Sequence, residues 1–276
     1  MKTSKKILEN IFIIVFYIYK TQEGIFLDII SVNITKGGCG KTTTVQALAE
    51  LAGSSGNKRV LCIDTDPQCN LTTASGIDIM DCKDKNLYTL LSGHCTADQC
   101  IIKTKYYDLI PGSIKLASAD REFTDLGRES ILKEQISSLD YDLILIDTPP
   151  ALGILNIMSL TASTKVIIPT ECSYLAMMGL EQLSETIDAV KKHTNTNLSI
   201  AGILLIKYNS RTNINDVVIG GLEDMAKSMD TDLYSTKIRE TVKIREAQSQ
   251  QEPLIDWDKS CTAILDYNDF YKEVFS

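Results

Sequence analysis

Short runs of apolar residues alternate with longer stretches of mixed apolar and polar residues along this chain. Continuous apolar runs bounded by polar residues are typical of parallel strands that are covered on both faces. These runs predict strands at Ile29–Ile34, Arg59–Asp64, Tyr107–Ile110, Asp142–Asp147, Lys165–Pro169 and Ser199–Lys207. The mixed stretches predict helices at Thr43–Leu51, Gly179–Lys192 and Val217–Met229. The alternation predicts a single doubly wound, mostly parallel α/β sheet with helices on both faces.

Composition supports one folded domain at residues 29–276. The chain has 276 residues, of which 44% are hydrophobic and 23% charged, as in an ordinary globular protein. Residues 1–28 differ, because a basic start precedes the apolar run Ile11–Tyr19. This run is too short to cross a bilayer, which takes about 20 residues. We treat residues 1–28 as an N-terminal extension of unknown role, and favour a packed helix or strand over a signal peptide.

The net charge and the spacing of the cysteines restrict the kinds of ligand and metal site that this chain can have. The net charge is −8, so any contact with nucleic acid has to come from a local basic patch. The eight cysteines form no CxxC pair. This pattern favours free thiols in a reducing cytosol over a disulfide framework or a zinc site.

A glycine-rich loop directly follows the first predicted strand and opens the first predicted helix. This is the context of a P-loop, in which backbone N–H groups and a helix N-terminus surround the phosphates of a nucleotide. We expect Lys41 to reach the β- and γ-phosphates and the hydroxyl of Thr42 to coordinate Mg²⁺. The predicted ATP-binding residues of the loop are Lys36, Gly37, Gly38, Cys39, Gly40, Lys41, Thr42 and Thr43.

The loop departs from the standard GxxxxGK(S/T) pattern at its start. Thr35 occupies the first glycine position, and Lys36 follows it. The resulting KGGxGKT box resembles the deviant Walker A box of the ParA/MinD family of dimeric ATPases. The resemblance implies that Lys36 reaches across to the nucleotide of a partner subunit. There it would neutralise charge on the transferred phosphoryl group, as an arginine finger does in other NTPases.

The second strand leads into a box that resembles the DxDPQGNxT motif of ParA/Soj proteins. It begins at Asp64, and Cys69 stands where that family usually has glycine. The resemblance implies that Asp66 orients the attacking water, since hydrolysis needs a group that places water in line with the γ-phosphate. We predict that Asp64 lies near the metal. An equal alternative is that Asp64 is an ordinary carboxylate at the end of a strand, with no role in metal binding.

The fourth predicted strand ends in Asp147 and has the pattern of a Walker B strand. Asp147 is predicted to hold Mg²⁺. Ligands of open α/β sheets lie outside the carboxyl ends of the strands, so Lys41, Asp66 and Asp147 should meet in one crevice. The resemblance to ParA proteins continues through Glu171 and covers roughly residues 29–255.

Two further assignments depend on the family. Asn209 matches an asparagine that contacts adenine in MinD-like relatives, with a turn-forming asparagine as the alternative. The stretch Lys237–Arg245 resembles a segment that forms a non-specific DNA surface on ATP-bound ParA dimers, and a solvated basic edge is the alternative. The predicted DNA-binding residues are Arg211, Lys237, Arg239, Lys243 and Arg245.

The leading hypothesis is a ParA/Soj-type partition ATPase. Such a protein would bind ATP and Mg²⁺, form a homodimer when ATP-bound, and bind nucleoid DNA in the cytoplasm. It would hydrolyse ATP weakly until a ParB-like partner stimulates it, and it would segregate a plasmid, a mobile element or a chromosome origin.

Three other hypotheses agree less well with the sequence. A MinD-like membrane switch needs a basic amphipathic tail, whereas residues 256–276 hold five acidic residues and two lysines, a net charge of −3. An iron–sulfur ATPase needs a cysteine soon after the Walker B strand, and none occurs between Asp147 and Glu171. A module that binds nucleotide without hydrolysing it is disfavoured because Lys36, Asp66 and Asp147 are all present.

Overall fold

The computed structural model describes residues 27–209 and 215–275. These residues form one eight-stranded sheet with the strand order β3-β4-β2-β5-β1-β6-β7-β8. All neighbouring strands are parallel except β3 and β4. The strands are β1 (Asp28–Val32), β2 (Val60–Asp64), β3 (Ile102–Lys103), β4 (Asp108–Ile110), β5 (Leu143–Asp147), β6 (Lys165–Glu171), β7 (Ser199–Tyr208) and β8 (Leu233–Arg239).

Helices connect the strands and cover the sheet. They are α1 (Lys41–Ser54), α2 (Asn70–Ala74), α3 (Leu87–Leu91), α4 (Ala97–Cys100), α5 (Ala119–Glu122), α6 (Ile131–Ile136), α7 (Ile154–Ala162), α8 (Tyr174–His193), α9 (Asn215–Ser228), α10 (Lys243–Ser249), α11 (Leu254–Trp257) and α12 (Thr262–Phe275). Single 3₁₀ turns lie at Ile114–Ser118 and Arg128–Ser130. Among the described residues, no helix is long and apolar enough to cross a membrane.

The sheet separates two apolar cores, as a doubly wound fold requires. Successive residues of β5 alternate between them: Leu143 and Leu145 belong to one core, and Ile144 and Ile146 to the other. The first core is closed by side chains from α1, α8, α9 and α12, and the second by α3, α6 and α7. Because β5 is buried on both faces, its sequence reads as a continuous apolar run.

The predicted α/β class is confirmed, and all six predicted strands are present with small shifts at their ends. Two strands were missed. β3 has only two residues, and β8 is a half-exposed edge strand whose sequence mixes apolar and polar residues. Helix α7 was also missed because it is buried nearly all round and therefore lacks the polar face of an amphipathic helix. The predicted extension at residues 1–28 lies almost wholly outside the described residues.

The order of the central strands positions the predicted site. β5 lies between β2 and β1, and its last residue, Asp147, is in register with Asp64 on one side and Val32 on the other. The chain leaves all three strands at the same edge of the sheet. The loops that follow β1, β2 and β5 therefore face one another.

Candidate functional site

A crevice of about 750 Å³ lies outside the carboxyl ends of the central strands. Its walls come from the loop after β1, the loop after β2, the end of β7 and the segment from β8 to α10. Seven of the eight predicted loop residues line it, namely Gly37, Gly38, Cys39, Gly40, Lys41, Thr42 and Thr43. A volume of this size is within the range of small-molecule and cofactor sites.

The glycines shape the loop after β1. Gly38 and Gly40 have φ angles of 75° and 63°, which residues with a side chain adopt at a cost. A Cβ atom at Gly40 would also lie 2.9 Å from Cδ1 of Ile206. Gly40 precedes α1 and gives no side-chain cap, so the first N–H groups of the helix face the crevice and favour an anion.

Lys41 is a buried cation at the start of α1. Its Nζ atom donates hydrogen bonds of 3.3 Å to the carbonyl oxygens of Ile34 and Lys36. Burial lowers the pKa of Lys41, while the carboxylates of Asp147 and Asp66 act in the opposite direction. Both hydrogen bonds are long and their acceptors are uncharged carbonyl groups, so this buried ammonium gains from an anionic ligand in the crevice.

Thr42 and Asp147 form the part of the site that fits a divalent cation. The hydroxyl of Thr42 donates to Oδ2 of Asp147 at 2.7 Å. The second oxygen, Oδ1, is buried and has no hydrogen-bond partner among the described residues. Burial raises the pKa of Asp147 well above its ordinary value, and Asp64 adds to this effect. A hydroxyl beside an unpartnered carboxylate oxygen is a ligand set that suits Mg²⁺.

Asp64 has a different environment, although it lies beside Asp147. Its Oδ2 atom accepts hydrogen bonds from the backbone N–H of Thr72 at 2.9 Å and from the Thr72 hydroxyl at 2.6 Å. Its Oδ1 atom accepts from the N–H of Asp66 at 3.2 Å. Burial raises the pKa of Asp64 to about 6. These contacts use both oxygens and favour a role in anchoring the loop over the predicted role near the metal.

The loop after β2 presents Asp66 to the crevice. One Asp66 oxygen accepts a hydrogen bond from the N–H of Gln68 at 2.9 Å, which fixes the turn. Cys69 ends this turn with a φ angle of 54°, so its backbone adopts the left-handed conformation that glycine adopts without strain. This explains why the resembling motif has glycine at this position.

Lys36 is placed at the rim and does not line the crevice. Its side chain is 34% exposed, and its Nζ atom forms an ion pair with Oε2 of Glu171 at the end of β6. Oε1 of the same carboxylate pairs with Nζ of Lys207 at 2.8 Å. This three-residue cluster was not predicted from the sequence, although Glu171 belongs to a predicted motif.

The far end of the crevice contains residues that the sequence analysis missed. Tyr267 of α12 lines it and shares a 3.1 Å hydrogen bond with the hydroxyl of Thr44. Gln248 of α10 also lines it and donates to Oε1 of Gln46 at 3.0 Å. No local motif marks these residues, because tertiary packing alone brings α10 and α12 against α1.

Asn209 and Arg211 were predicted after β7. Asn209 is exposed, beyond Ile206 and Lys207, the two β7 residues that line the crevice. Arg211 lies outside the described residues.

The basic stretch Lys237–Arg245 borders the crevice, and two of its four cations have acidic partners. Nη2 of Arg239 lies 2.6 Å from Oδ1 of Asp266, and Nζ of Lys243 lies 3.0 Å from Oε2 of Glu246. Nζ of Lys237 lies 4.8 Å from the ring centroid of Tyr208. Arg239 and Arg245 both line the crevice. The stretch therefore forms one wall of the predicted nucleotide site.

Comparison with known proteins identifies the family. Residues 27–200 match the model of an AAA domain family. The sporulation initiation inhibitor protein Soj of Bacillus subtilis (strain 168) is 39% identical over 251 residues, which are 89% of this chain and 97% of that protein. The chromosome-partitioning ATPase Soj of Treponema pallidum (strain Nichols) is 34% identical over 244 residues, 87% of this chain and 93% of that protein.

A solved structure has a similar fold over most of this chain. Cobyrinic acid a,c-diamide synthase from Mycobacterium smegmatis with bound ADP and magnesium is 30% identical in sequence and has a TM-score of 0.78. The alignment covers 91% of this chain and 94% of that one. The predicted resemblance is thus confirmed across most of the chain. This chain belongs to the ParA/Soj family of P-loop partition ATPases.

Proposed function

We propose that the chain binds ATP and Mg²⁺ in the crevice. The α1 N-terminus and the glycine loop would surround the phosphates, and the ammonium of Lys41 would contact them. Thr42 and Asp147 would hold Mg²⁺, which when bound neutralises phosphate oxygens. The unpartnered Oδ1 atom of Asp147 and the buried Lys41 support this proposal, because both gain a partner when the ligand binds.

Hydrolysis would depend on Asp66. Its carboxylate lines the crevice close enough to Lys41 to oppose the lowering of that lysine's pKa by burial, and the hydrogen bond from Gln68 limits its rotation. A carboxylate held in this way can orient a water molecule for attack on the terminal phosphate. Lys41 would stabilise the negative charge that develops as the bond to that phosphate breaks.

Lys36 carries the proposal of a homodimer. Lys36 lies at the rim, outside the crevice of its own subunit, and would serve a nucleotide that a second subunit brings to the same face. The Lys36 ammonium would then neutralise phosphate charge in trans. ATP would be required for the dimer because the nucleotide supplies the charge that Lys36 contacts.

The ATP-bound dimer would bind DNA without sequence preference. Arg239, Lys243 and Arg245 lie beside the crevice, so a nucleotide-dependent dimer would bring two basic stretches together. A ParB-like protein would stimulate hydrolysis and release the DNA. This cycle would place the chain on the nucleoid in the cytoplasm and would segregate a plasmid, a mobile element or a chromosome origin.

The observation that carries the proposal is the separation of the two lysines of the glycine loop. Lys41 is buried in the crevice, whereas Lys36 is a third exposed at its rim. A nucleotide-binding loop that served only its own subunit would need Lys41 alone.

The test measures dimerisation and DNA binding together. The purified protein is incubated with ATP, with ADP or without nucleotide, at two salt concentrations, and DNA binding is measured beside size-exclusion chromatography. Lys36→Ala is run in parallel, with Lys227→Met on the exposed face of α9 as a control for the loss of one lysine. We expect salt-sensitive DNA binding and a dimer only with ATP, and both should be lost in Lys36→Ala.

Two results would contradict the proposal. Nucleotide-independent DNA binding would remove the switch, and a Lys36→Ala protein that dimerises normally would remove the role of Lys36 in trans. An ATP-driven dimer without DNA affinity would move the function toward a positioning regulator that acts on a membrane or a protein, and vesicles of anionic lipid would be tested next.

A further inference from the structure

Glu171 lies between two cations that come from neighbouring strands. It ends β6, which is hydrogen-bonded to β1 on one side and β7 on the other, and it is in register with Ile206 of β7. One carboxylate oxygen pairs with Lys36 from the loop after β1, and the other pairs with Lys207 from β7. The strand order itself therefore brings the three charges together.

The ion pair with Glu171 keeps Lys36 within its own subunit. The hydrogen bond with Glu171 raises the pKa of Lys36, so the lysine stays charged in this contact. The Glu171 side chain is only 23% exposed, which protects the pair from full solvent screening. A lysine whose charge is balanced by a carboxylate stabilises a phosphate less than one without such a partner. Lys36 must therefore give up Glu171 to act fully on a nucleotide in a second subunit.

Lys207 lowers the cost of that release. While both lysines contact Glu171, the cluster carries a net charge of +1. When Lys36 leaves, Lys207 still pairs with the carboxylate at 2.8 Å, and the cluster becomes neutral. No uncompensated, partly buried carboxylate is left behind, which would otherwise oppose the movement of Lys36.

We propose that Glu171 is a positioning residue that holds Lys36 inside its own subunit until a second nucleotide-bound copy competes for it. This inference depends on the proposed function, because it requires a dimer in which Lys36 acts in trans. Glu171 opposes dimerisation, and Lys207 favours it by retaining the carboxylate. The cluster thus sets the protein concentration at which ATP produces a dimer.

The proposal predicts effects of opposite sign on the two sides of the cluster. Glu171→Gln keeps the shape of the side chain but removes its charge, so Lys36 is released and ATP-dependent dimerisation strengthens. Lys207→Met removes the cation that would stay on Glu171 after Lys36 leaves. Release of Lys36 then leaves the carboxylate without its partner in this cluster, so dimerisation weakens. Each change should move the dimer dissociation constant by about two- to fivefold for each of the two clusters in the dimer, the range that one partly exposed ion pair supplies.

The experiment measures the dimer dissociation constant by analytical ultracentrifugation at saturating ATP and Mg²⁺. Asp140→Asn is the matched control: it removes one negative charge from an ion pair with Arg59 at the opposite edge of the sheet. It should dimerise as the wild type does. Glu171→Gln is also combined with Lys36→Ala, and the gain from Glu171→Gln should disappear in that double variant because there is no Lys36 to release.

A second readout follows Lys36 without a dimer. The protein without nucleotide is treated with a trace of an amine-acylating reagent, and labelling of Lys36 is measured by mass spectrometry. Pairing protects an ammonium from acylation, so Glu171→Gln should increase the labelling of Lys36 severalfold. The labelling of Lys227 on α9 should stay unchanged and serves as the internal reference.

The possible outcomes are distinguishable. A wild-type protein that never dimerises with ATP overturns both the proposed function and this inference. A wild-type dimer that requires Lys36, combined with a Glu171→Gln variant that dimerises equally or more weakly, overturns the inference alone. A Lys207→Met variant that dimerises more tightly also overturns it. Stronger dimerisation of Glu171→Gln that persists in the Lys36→Ala background would show that Glu171 acts through another residue.

Discussion

The two halves of the crevice are built in different ways. The phosphate half is built around the buried side chains of Lys41, Asp64, Asp66 and Asp147, at the ends of three neighbouring strands. The basic half, formed by residues 237–249, comes from an edge strand and a short helix, and Arg239 and Lys243 there are exposed and paired with acids. Burial makes the groups of the first half depend on a ligand, whereas solvent already stabilises the charges of the second.

The carboxylates of the phosphate half show this dependence most clearly. Burial raises the pKa of both Asp64 and Asp147, but only Asp64 has partners for both oxygens. Asp147 keeps one oxygen without a partner among the described residues. An unsatisfied buried polar atom is costly in a folded protein. The carboxylate that carries this one accepts a hydrogen bond from Thr42, which lines the crevice, so the atom marks a ligand site. Exposed cations such as Lys243 are solvated, so their presence alone does not indicate a ligand site.

The largest effect should follow from removing the carboxylate of Asp66. Asp66→Asn keeps an oxygen that accepts the N–H of Gln68 but cannot polarise an attacking water. We expect ATP hydrolysis to fall by about 10²–10⁴-fold, while ATP binding and dimerisation remain. Phosphate release measures hydrolysis, fluorescence of a labelled ATP analogue measures binding, and size-exclusion chromatography measures dimerisation.

A matched change at the neighbouring carboxylate sharpens this prediction. Asp64→Ala should lower the melting temperature because it leaves the N–H and hydroxyl of Thr72 without their acceptor. If Asp64→Ala melts as the wild type does and loses Mg²⁺ binding instead, the metal role predicted for Asp64 from the sequence is correct and the anchoring role is wrong.

The next effect concerns Lys41. Lys41→Met should weaken ATP binding by on the order of a hundredfold, since it removes a buried charge that pairs with phosphate. Isothermal titration calorimetry measures this loss, and circular dichroism checks that the variant unfolds cooperatively. Lys227→Met on α9 is the control and should bind ATP as the wild type does. Unchanged affinity in Lys41→Met would contradict the placement of phosphates beside this residue.

The phosphate half could be predicted from the sequence because its residues follow apolar runs directly. Each run identifies a strand, and parallel strands deliver their ends to one edge of the sheet. The sequence therefore predicts Lys41, Asp66 and Asp147 in one crevice. Lys41 and Asp66 line it, whereas Asp147 is buried and accepts a hydrogen bond from Thr42, which lines it. The order of the strands and the register that pairs Asp147 with Asp64 depend on the whole fold.

The remaining parts depend on contacts between residues that are far apart in the chain. Gln248 reaches Gln46, and Tyr267 reaches Thr44, across more than 200 residues of sequence. Arg239 ends strand β8 and its acidic partner Asp266 lies on α12, so a count of charges in the local sequence does not reveal this ion pair. Local sequence identifies which residues carry charge, but tertiary packing decides which charges remain available to a ligand.

A smaller effect comes from Glu50, which joins α1 to α11. Glu50 of α1 is buried and accepts hydrogen bonds from Nε2 of Gln46 at 2.9 Å and from the N–H of Ile255 at 3.1 Å. Burial, with a smaller contribution from Asp256, raises its pKa from 4.5 to about 7 against these hydrogen bonds. Between these two values the folded state holds more protons than the unfolded state. The free energy of unfolding should therefore fall as the pH rises from 4.5 to about 7.

Glu50→Gln should flatten this dependence. Each unit of pKa shift corresponds to about 1.4 kcal/mol, so the free energy of unfolding that is lost across this window should decrease by at most about 3.5 kcal/mol in the variant. Urea unfolding at several pH values measures it. Asp64 and Asp147 contribute slopes of the same sign, and the difference between Glu50→Gln and the wild type isolates Glu50. Glu185→Gln, on the exposed face of α8, is the control and should show the same dependence of unfolding free energy on pH as the wild type. If the Glu50→Gln curve runs parallel to the wild-type curve, Glu50 is not the source of this dependence.

The smallest effects should occur in the basic half, and they test whether acidic partners decide which cations are available to DNA. Lys237 lies against the ring of Tyr208, whereas Arg239 is held by Asp266.

Lys237→Ala should weaken ATP-dependent DNA binding severalfold and lower the slope of log affinity against log salt by about 0.9, the value for one phosphate contact. Arg239→Ala should change both much less, because Asp266 already neutralises that charge. Fluorescence anisotropy of labelled DNA over a salt series measures both quantities. Equal losses in the two variants would show that DNA displaces Asp266 from Arg239, and the difference between the halves would then lie in burial alone.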